Sequence, residues 1–201
     1  MALPKHIGFI PDGNRRWAVN RGMGKQDGYA FGIEPGLQLY EQCKALGIEE
    51  VSVYGFTQDN VKRPSEQKHA FSQACVHFAE EVTRRGCALL VVGDEDSEQF
   101  PAELRHFRKR HSSGIKVNFL VNYGWKWDLA GMKQGDIRSS DVSRLDMVVR
   151  WGGGRRLSGF LPVQSVYADI YVVDDYWPDF MPEHLDQALE WYSRQDRTLG
   201  G

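Results

Sequence analysis

The feature that most constrains this chain is an alternation. Six short β-rich runs, "HIGFI" (6–10), "EVSVYGF" (50–56), "ALLVVG" (88–93), "KVNFLVNY" (116–123), "DMVVR" (146–150) and "DIYVVD" (169–174), are separated by longer segments. Between the first two, Leu37, Leu39, Tyr40, Cys43 and Leu46 recur at helical intervals, and Gly47 ends the pattern as glycine commonly does just past a helix. Over 65–86, Ser65 can cap, Ala74, Phe78 and Val82 share a face, and Gly86 stops the pattern. Further helices are predicted at 98–111 and 182–195, the latter opening on Pro182 and Glu183, both suited to a first turn. Such alternation predicts one α/β domain over 1–201, with a central, mostly parallel six-stranded sheet covered on both faces by helices.

Composition narrows the class. Apolar residues at 41% and charged residues at 26% are an ordinary globular balance, and 201 residues suffice for one sizeable core. A net charge of −2 gives no general attraction to nucleic acid or to an anionic membrane, so any anion site must be a local basic cluster. Cys43, Cys75 and Cys87 are odd in number and form no C-x-x-C pair, which suits a reducing compartment and offers no disulfide framework or zinc site. "MALPKHIGFI" does not read as a signal peptide, and the apolar run "CALLVV" (87–92) is too short for a transmembrane anchor. A cytoplasmic location is expected.

In open parallel sheets, ligands bind beyond the carboxyl ends of the strands. Those ends carry "PDGNRRW", "TQDNVKR", "NYGWKW", "RWGGGRRLS" and "DDYW", so most of the polar chemistry converges on one sheet edge. Two basic clusters stand there, Arg15 and Arg16 with Lys25, and Arg150, Arg155 and Arg156. Guanidinium forks match phosphate oxygens, and neighbouring glycines let backbone N–H groups approach the same anion. Asp12 between the clusters makes sense if Mg²⁺ bridges it to phosphate, with Asp169, Asp174 and Asp175 as candidates for a second carboxylate. The residues thus point to two phosphate-bearing groups near a magnesium ion.

Duller roles compete for each element. Arg15 and Arg16 could be a solvated helix face, Asp12 a helix cap, and "GGGRRLSG" a flexible loop that fits neither G-x-G-x-x-G nor Walker A. The basic run "LRHFRKRH" (104–111) reads as a solvated helix surface, and His6 as a structural histidine.

These residues also resemble a known family, the cis-prenyltransferases typified by undecaprenyl diphosphate synthase. "HIGFIPDGNRRWA" is similar to its first motif, "YGFTQDNVKRP" (54–64) to its Phe-Ser-x-Glu-Asn-Trp-x-Arg-Pro segment, and "NYGWKWD" (122–128) to Asn-Tyr-Gly-Gly-Arg-x-Asp. "DMVVRWGGGRRLSGFLPVQSVYADIYVVDDYWPDF" (146–180) resembles the long C-terminal signature, and the matches keep the family's order from residue 6 almost to the end. The resemblance implies a homodimeric, Mg²⁺-dependent enzyme that joins an allylic diphosphate to isopentenyl diphosphate and forms a cis double bond. By motif position, Asp12 would hold Mg²⁺ and assist departure of the allylic diphosphate. Gly13, Asn14, Arg15 and Arg16 would cradle that group, with Asp12, Asn14 and Asn60 as the catalytic set. Arg150, Arg156 and Ser158 match the isopentenyl diphosphate site, Thr57 and Arg63 match further substrate-binding positions, and Asp169 stands where a metal-associated glutamate is usual.

The departures from the pattern are chemical. Lys25 and Tyr29 replace a usual arginine and histidine; lysine loses the bidentate fork, and a tyrosine of ordinary pKa near ~10 is no proton shuttle at neutral pH. Asp59, Val61, Gly154 and Gly159 replace glutamate, tryptophan, glutamate and asparagine, and the terminal "RTLGG" keeps part of an Arg-x-Gly ending that normally reaches into the partner subunit. The segments 64–93 and 128–150 are shorter than in long-chain members, while Gly55 adds space near the tunnel entrance, so a short product of about two to four isoprene units is expected, since the pocket bounds what a site can hold. Two alternatives remain: irregular coupling or terpene formation from allylic diphosphates, motivated by Lys25 and Tyr29, and a noncatalytic partner subunit.

Overall fold

All six expected strands form, and they form one sheet. The computed structural model describes residues 3–196, and its strands are β1 (His6–Ile10), β2 (Glu50–Tyr54), β3 (Ala88–Val92), β4 (Lys116–Leu120), β5 (Met147–Arg150) and β6 (Asp169–Val172). Their order is β3-β4-β2-β1-β5-β6 and every pairing is parallel. The helices are α1 (Asn14–Asn20), α2 (Ile33–Ala45), α3 (Ser65–Arg84), α4 (Trp125–Leu129) and α5 (Pro182–Tyr192). Among the described residues no helix is long and apolar enough to cross a membrane. The "RTLGG" ending lies outside the described residues.

The two-residue period of the strands splits the core into two. Ile7, Phe9, Leu89, Val91, Val117, Phe119, Met147 and Val149 face one side, where α2, α3 and α5 deliver Leu37, Tyr40, Cys43, Phe78, Val82, Leu185 and Leu189. Ile10, Leu90, Val92, Leu120 and Val148 face the other, against Val142, Leu145, Phe160 and Leu161. Helices thus flank the sheet as expected, but those on this second face are short. The face is covered by the five-residue α4, a 3₁₀ turn at Ala130–Gln134 and irregular chain on either side of β5. Large apolar side chains from that chain fill the face without a long helix.

The basic run at 104–111 is corrected. Ala102–Arg108 forms 3₁₀ turns rather than an α-helix, and its arginines are not merely solvated. Arg108 Nη1 donates to the carbonyls of Val91 (3.2 Å) and Gly93 (3.0 Å), and Arg110 Nη1 to that of Ala88 (2.6 Å). These guanidiniums satisfy carbonyls along β3, an edge strand that would otherwise template further pairing.

At the amino end of the sheet His6 behaves as a structural residue. Its Nδ1 faces the carbonyls of Ser143 (3.1 Å) and Arg144 (3.2 Å), which assigns the proton to Nδ1 and leaves Nε2 to accept from the Ser52 hydroxyl at 2.8 Å. Burial lowers its pKa below the ordinary histidine value, against the opposing charges of Glu50 and Asp146.

Candidate active site

The sheet has its switch point between β1 and β5. The chain leaving β1 returns at β2 on one side, whereas β5 is followed by β6 on the other, so a crevice opens past the carboxyl ends of these two strands. Ile10 pairs with Arg150 in register, which brings "PDGNRRW" and "RWGGGRRLS" together although they lie far apart in sequence. Arg150 Nη2 donates to Asp12 Oδ2 at 2.8 Å across this seam. The Arg150 side chain is 4% exposed and that of Asp12 is 37% exposed, so the carboxylate opens toward the crevice while the guanidinium is held beneath it.

Local backbone geometry makes this possible. Gly13 has φ 109°, and a Cβ there would meet Tyr176 Cδ1 at 2.7 Å; only glycine combines that conformation with that approach. Its N–H donates to Asp12 Oδ1 at 2.7 Å, which fixes the carboxylate before α1 begins. Trp17 Nε1 donates to Asp179 at 2.7 Å and anchors α1 to the segment after β6. Arg16 Nη2 donates to the Gly152 carbonyl at 3.0 Å, lies 3.5 Å from Asp12, and its guanidinium packs 4.9 Å from the Tyr176 ring centroid.

The crevice is a cleft of about 750 Å³. Asp12, Gly13, Asn14, Arg15, Arg16, Lys25, Tyr29, Thr57, Asn60, Arg63, Arg150 and Ser158 all line it. Five cations, Arg15, Arg16, Lys25, Arg63 and Arg150, thus face two carboxylates, Asp12 and Asp59. The overall charge of the chain is slightly negative, so this excess of cations is a local property of the cleft.

Several groups are already committed. Asn60 Oδ1 accepts from the Thr57 N–H at 3.1 Å, which orients the side chain and leaves its amide nitrogen as a donor. Asn14 Nδ2 donates to the Pro11 carbonyl at 3.1 Å. Tyr29 is stacked on Phe71 with ring centroids 4.5 Å apart, and its hydroxyl accepts from Arg63 Nη1 at 2.8 Å. Burial raises the Tyr29 pKa above its ordinary value, against the opposing charge of Arg63. Burial in turn lowers that of Arg63, which still keeps its charge at neutral pH. Tyr29 therefore presents a neutral O–H to the cleft.

Two expected site residues do not join the cluster. Arg156 is exposed and outside the cleft lining; it contributes its backbone carbonyl, which accepts from Arg150 Nη1, rather than its guanidinium. Asp169 opens β6 and pairs with Met147, three residues before the Arg150 level. At about 3.3 Å per strand residue that is about 10 Å toward the opposite sheet edge, so Asp169 is not a second carboxylate beside Asp12 within this chain. Asp174 and Asp175 are engaged elsewhere, 3.7 Å from Arg155 and 3.4 Å from His184.

Tyr54, Phe71 and Tyr176 line the cleft and were not singled out from sequence. Phe71 carried a signal, since Gln67, Phe71, Cys75 and Phe78 recur at helical spacing along α3. Beyond Tyr29 and Phe71 the cleft meets an apolar chamber of about 70 Å³ lined by Gly36, Val53, Cys75, Phe78, Phe119 and Trp177 among others. A further void of about 20 Å³ shares Gly36, Val53, Phe78 and Trp177 with it.

Comparison with known proteins places this geometry. Residues 10–200 match the family model described as "Putative undecaprenyl diphosphate synthase". An isoprenyl transferase of Streptococcus thermophilus is 29% identical over 235 aligned positions, covering 99% of this chain and 94% of that protein. A ditrans,polycis-undecaprenyl-diphosphate synthase ((2E,6E)-farnesyl-diphosphate specific) of Aliivibrio fischeri is 27% identical, covering 98% and 89%. Alignments longer than the 201 residues here mean that the relatives carry segments this chain lacks. In fold, the chain is similar to lavandulyl diphosphate synthase from Lavandula x intermedia, solved with dimethylallyl diphosphate (TM-score 0.82, 22% identity, 99% of both chains). It is likewise similar to a probable undecaprenyl diphosphate synthase from Campylobacter jejuni (TM-score 0.77, 21% identity, 100% of both). The match to the family model runs over residues 10–200 and so spans the motifs that build the cleft, and this chain belongs to the undecaprenyl diphosphate synthase family of prenyltransferases.

Proposed function

We propose that this chain is a short-chain (Z)-prenyl diphosphate synthase that condenses an allylic diphosphate with isopentenyl diphosphate. One observation carries the reading: two guanidinium-lined sides of a single cleft flank one half-exposed carboxylate, and the cleft leads into an apolar chamber of about 70 Å³. Two diphosphates bind side by side, one against Gly13, Arg15 and Arg16, the other against Arg150 and Ser158. The short apolar chamber limits the hydrocarbon that can be accommodated without rearrangement.

The residues fit magnesium in one mode. No cluster of three or more His, Cys, Asp or Glu exists among the described residues, so an all-protein cage is not available. An open carboxylate, Asp12, beside phosphate-binding guanidiniums suits Mg²⁺, which commonly binds through one or two carboxylates plus substrate phosphates. Asp12 would hold it, and the ion would neutralise charge on the departing diphosphate. Arg16 and Arg15 take up the remaining negative charge as the allylic C–O bond breaks, a preorganised electrostatic role. Tyr29 and the Asn60 amide donate hydrogen bonds without moving a proton. The reading extends to a homodimer, as the family resemblance implies, and to the cytoplasmic location expected from the sequence.

A second reading, irregular joining of two allylic diphosphates, is favoured by the neutral Tyr29 hydroxyl tied to Arg63 in the allylic half of the cleft. The test is incubation with Mg²⁺ and dimethylallyl, geranyl or farnesyl diphosphate, with and without labelled isopentenyl diphosphate, read by mass spectrometry and double-bond geometry. Label in a short cis product is the expected result. Product without label would replace the first reading by the second. Absence of turnover, with activation of a partner synthase, would overturn both and leave a partner subunit.

A further inference from the structure

The second half of the cleft depends on an unusual turn. Ser158 has φ 53°, a left-handed conformation uncommon for a residue other than glycine, asparagine or aspartate, and Gly159 follows with φ 80°. In this conformation Ser158 Oγ accepts from Arg150 Nη1 at 2.9 Å, and Arg150 in turn donates to Asp12 at 2.8 Å. The turn is therefore the start of a hydrogen-bonded line that ends on the carboxylate. The Phe160 N–H donates to the Leu157 carbonyl at 3.0 Å and closes this turn, but that bond fixes the backbone without fixing how the turn sits against the Arg150 guanidinium.

Two aromatic residues pin the turn from outside. Tyr54 closes β2, and the strand period puts it with Ser52 on the face opposite Val51 and Val53. There its ring packs on Phe160 (centroids 5.1 Å apart, 49° between planes) and meets the edge of Tyr123 (6.2 Å, 76°). Its hydroxyl donates to the Ser158 carbonyl at 3.0 Å. Burial raises the Tyr54 pKa above its ordinary value, so the hydroxyl keeps the proton it donates. On the other side Trp125 lies over Gly159, where a Cβ would sit 2.7 Å from Trp125 Cδ1. Tyr54 also lines both the polar cleft and the apolar chamber, so it stands where a bound diphosphate would join its hydrocarbon.

We propose that Tyr54 is a positioning residue for the second anion subsite: its hydroxyl anchors the Ser158–Gly159 turn to β2 in the placement that aims Ser158 Oγ at Arg150. This rests on the assignment of Arg150 and Ser158 to a diphosphate group. Tyr54 does no chemistry on the substrate; it acts through Ser158.

The test is a double-mutant cycle read by calorimetric titration with inorganic pyrophosphate, alongside KM for each substrate. Tyr54→Phe keeps the ring packing and removes only the donor. It is expected to weaken pyrophosphate binding by about two- to tenfold, the size of one net neutral hydrogen bond, and to raise KM for one substrate while the other and kcat stay within twofold. Ser158→Ala is expected to weaken binding comparably, and the double variant no further. Additive losses, or loss spread equally over both substrates, would show that Tyr54 acts on general stability and would overturn the proposal. A normal affinity in Tyr54→Phe beside a weakened Ser158→Ala would overturn this proposal alone. A normal affinity in Ser158→Ala would remove the subsite assignment, and the proposal with it.

Discussion

Phe78 is a wall shared by the apolar chamber and the smaller void beside it, and removing it should lengthen the product. The ring is 8% exposed, meets Phe119 edge-on with centroids 5.1 Å apart, and rests against Gly36, where a Cβ would lie 2.8 Å from Phe78 Cε2. Phe78→Ala would merge spaces of about 70 and 20 Å³ and add the volume of the lost ring. A buried Phe→Ala change costs about 3–5 kcal/mol when the cavity stays open. For a chain of this size each kcal/mol lowers Tm by about 2–4 °C, so a drop of roughly 6–20 °C is expected by calorimetry. Gly36→Ala is the control of opposite sense: it crowds the same ring, costs about 1–3 kcal/mol by overpacking, and adds no room. The assay is chain-length analysis of products at limiting allylic and excess isopentenyl diphosphate. Longer products from Phe78→Ala and none from Gly36→Ala would support this role. An unchanged distribution from folded Phe78→Ala, with the expected fall in Tm, would refute it, because the cavity would have opened without consequence.

Asp12→Asn should leave diphosphate binding largely intact and lower kcat by at least about 10²-fold, the scale of losing one preorganised electrostatic group, as measured by single-turnover kinetics. Tyr29→His should add a limb below about pH 6.5 to the kcat/KM profile, since burial and the Arg63 charge both disfavour an imidazolium there, whereas the wild-type profile should show no ionisation of Tyr29 below about pH 10, because burial moves that pKa upward. His6 sets an acid limit on stability. Its folded pKa is lowered by burial, so below about pH 6.5 the unfolded chain binds a proton that the folded chain refuses. Urea unfolding should lose up to about 1.4 kcal/mol per pH unit as pH falls from there toward the lowered pKa, and His6→Asn should flatten this window.

Much of the site was legible because its motifs are local. An apolar run ending in "PDGNRR" declares a strand and the charged edge beyond it, and the parallel-sheet rule then gathers such edges on one side. The residues that escaped are those whose role depends on which neighbour lies across the sheet. Arg156 and Arg150 share one motif, yet one offers only a carbonyl and the other a buried guanidinium. Tyr54 reads as the end of a strand, and only the return of the chain through Ser158 makes it part of the cleft. The arginines at 108 and 110 read as surface charge until β3 is known to be an edge strand.

Periodicity and spacing by themselves determined the six strands, the longer helices and the cationic edge, since these depend on interactions within a few residues of chain. Tertiary structure alone decided strand order and register. Those choices tied Asp12 to Arg150, set Asp169 about 10 Å toward the far edge, and closed the apolar chamber with Phe78. The physical reason is that register between parallel strands and the packing of rings across a core come from contacts between distant segments, which no local pattern encodes.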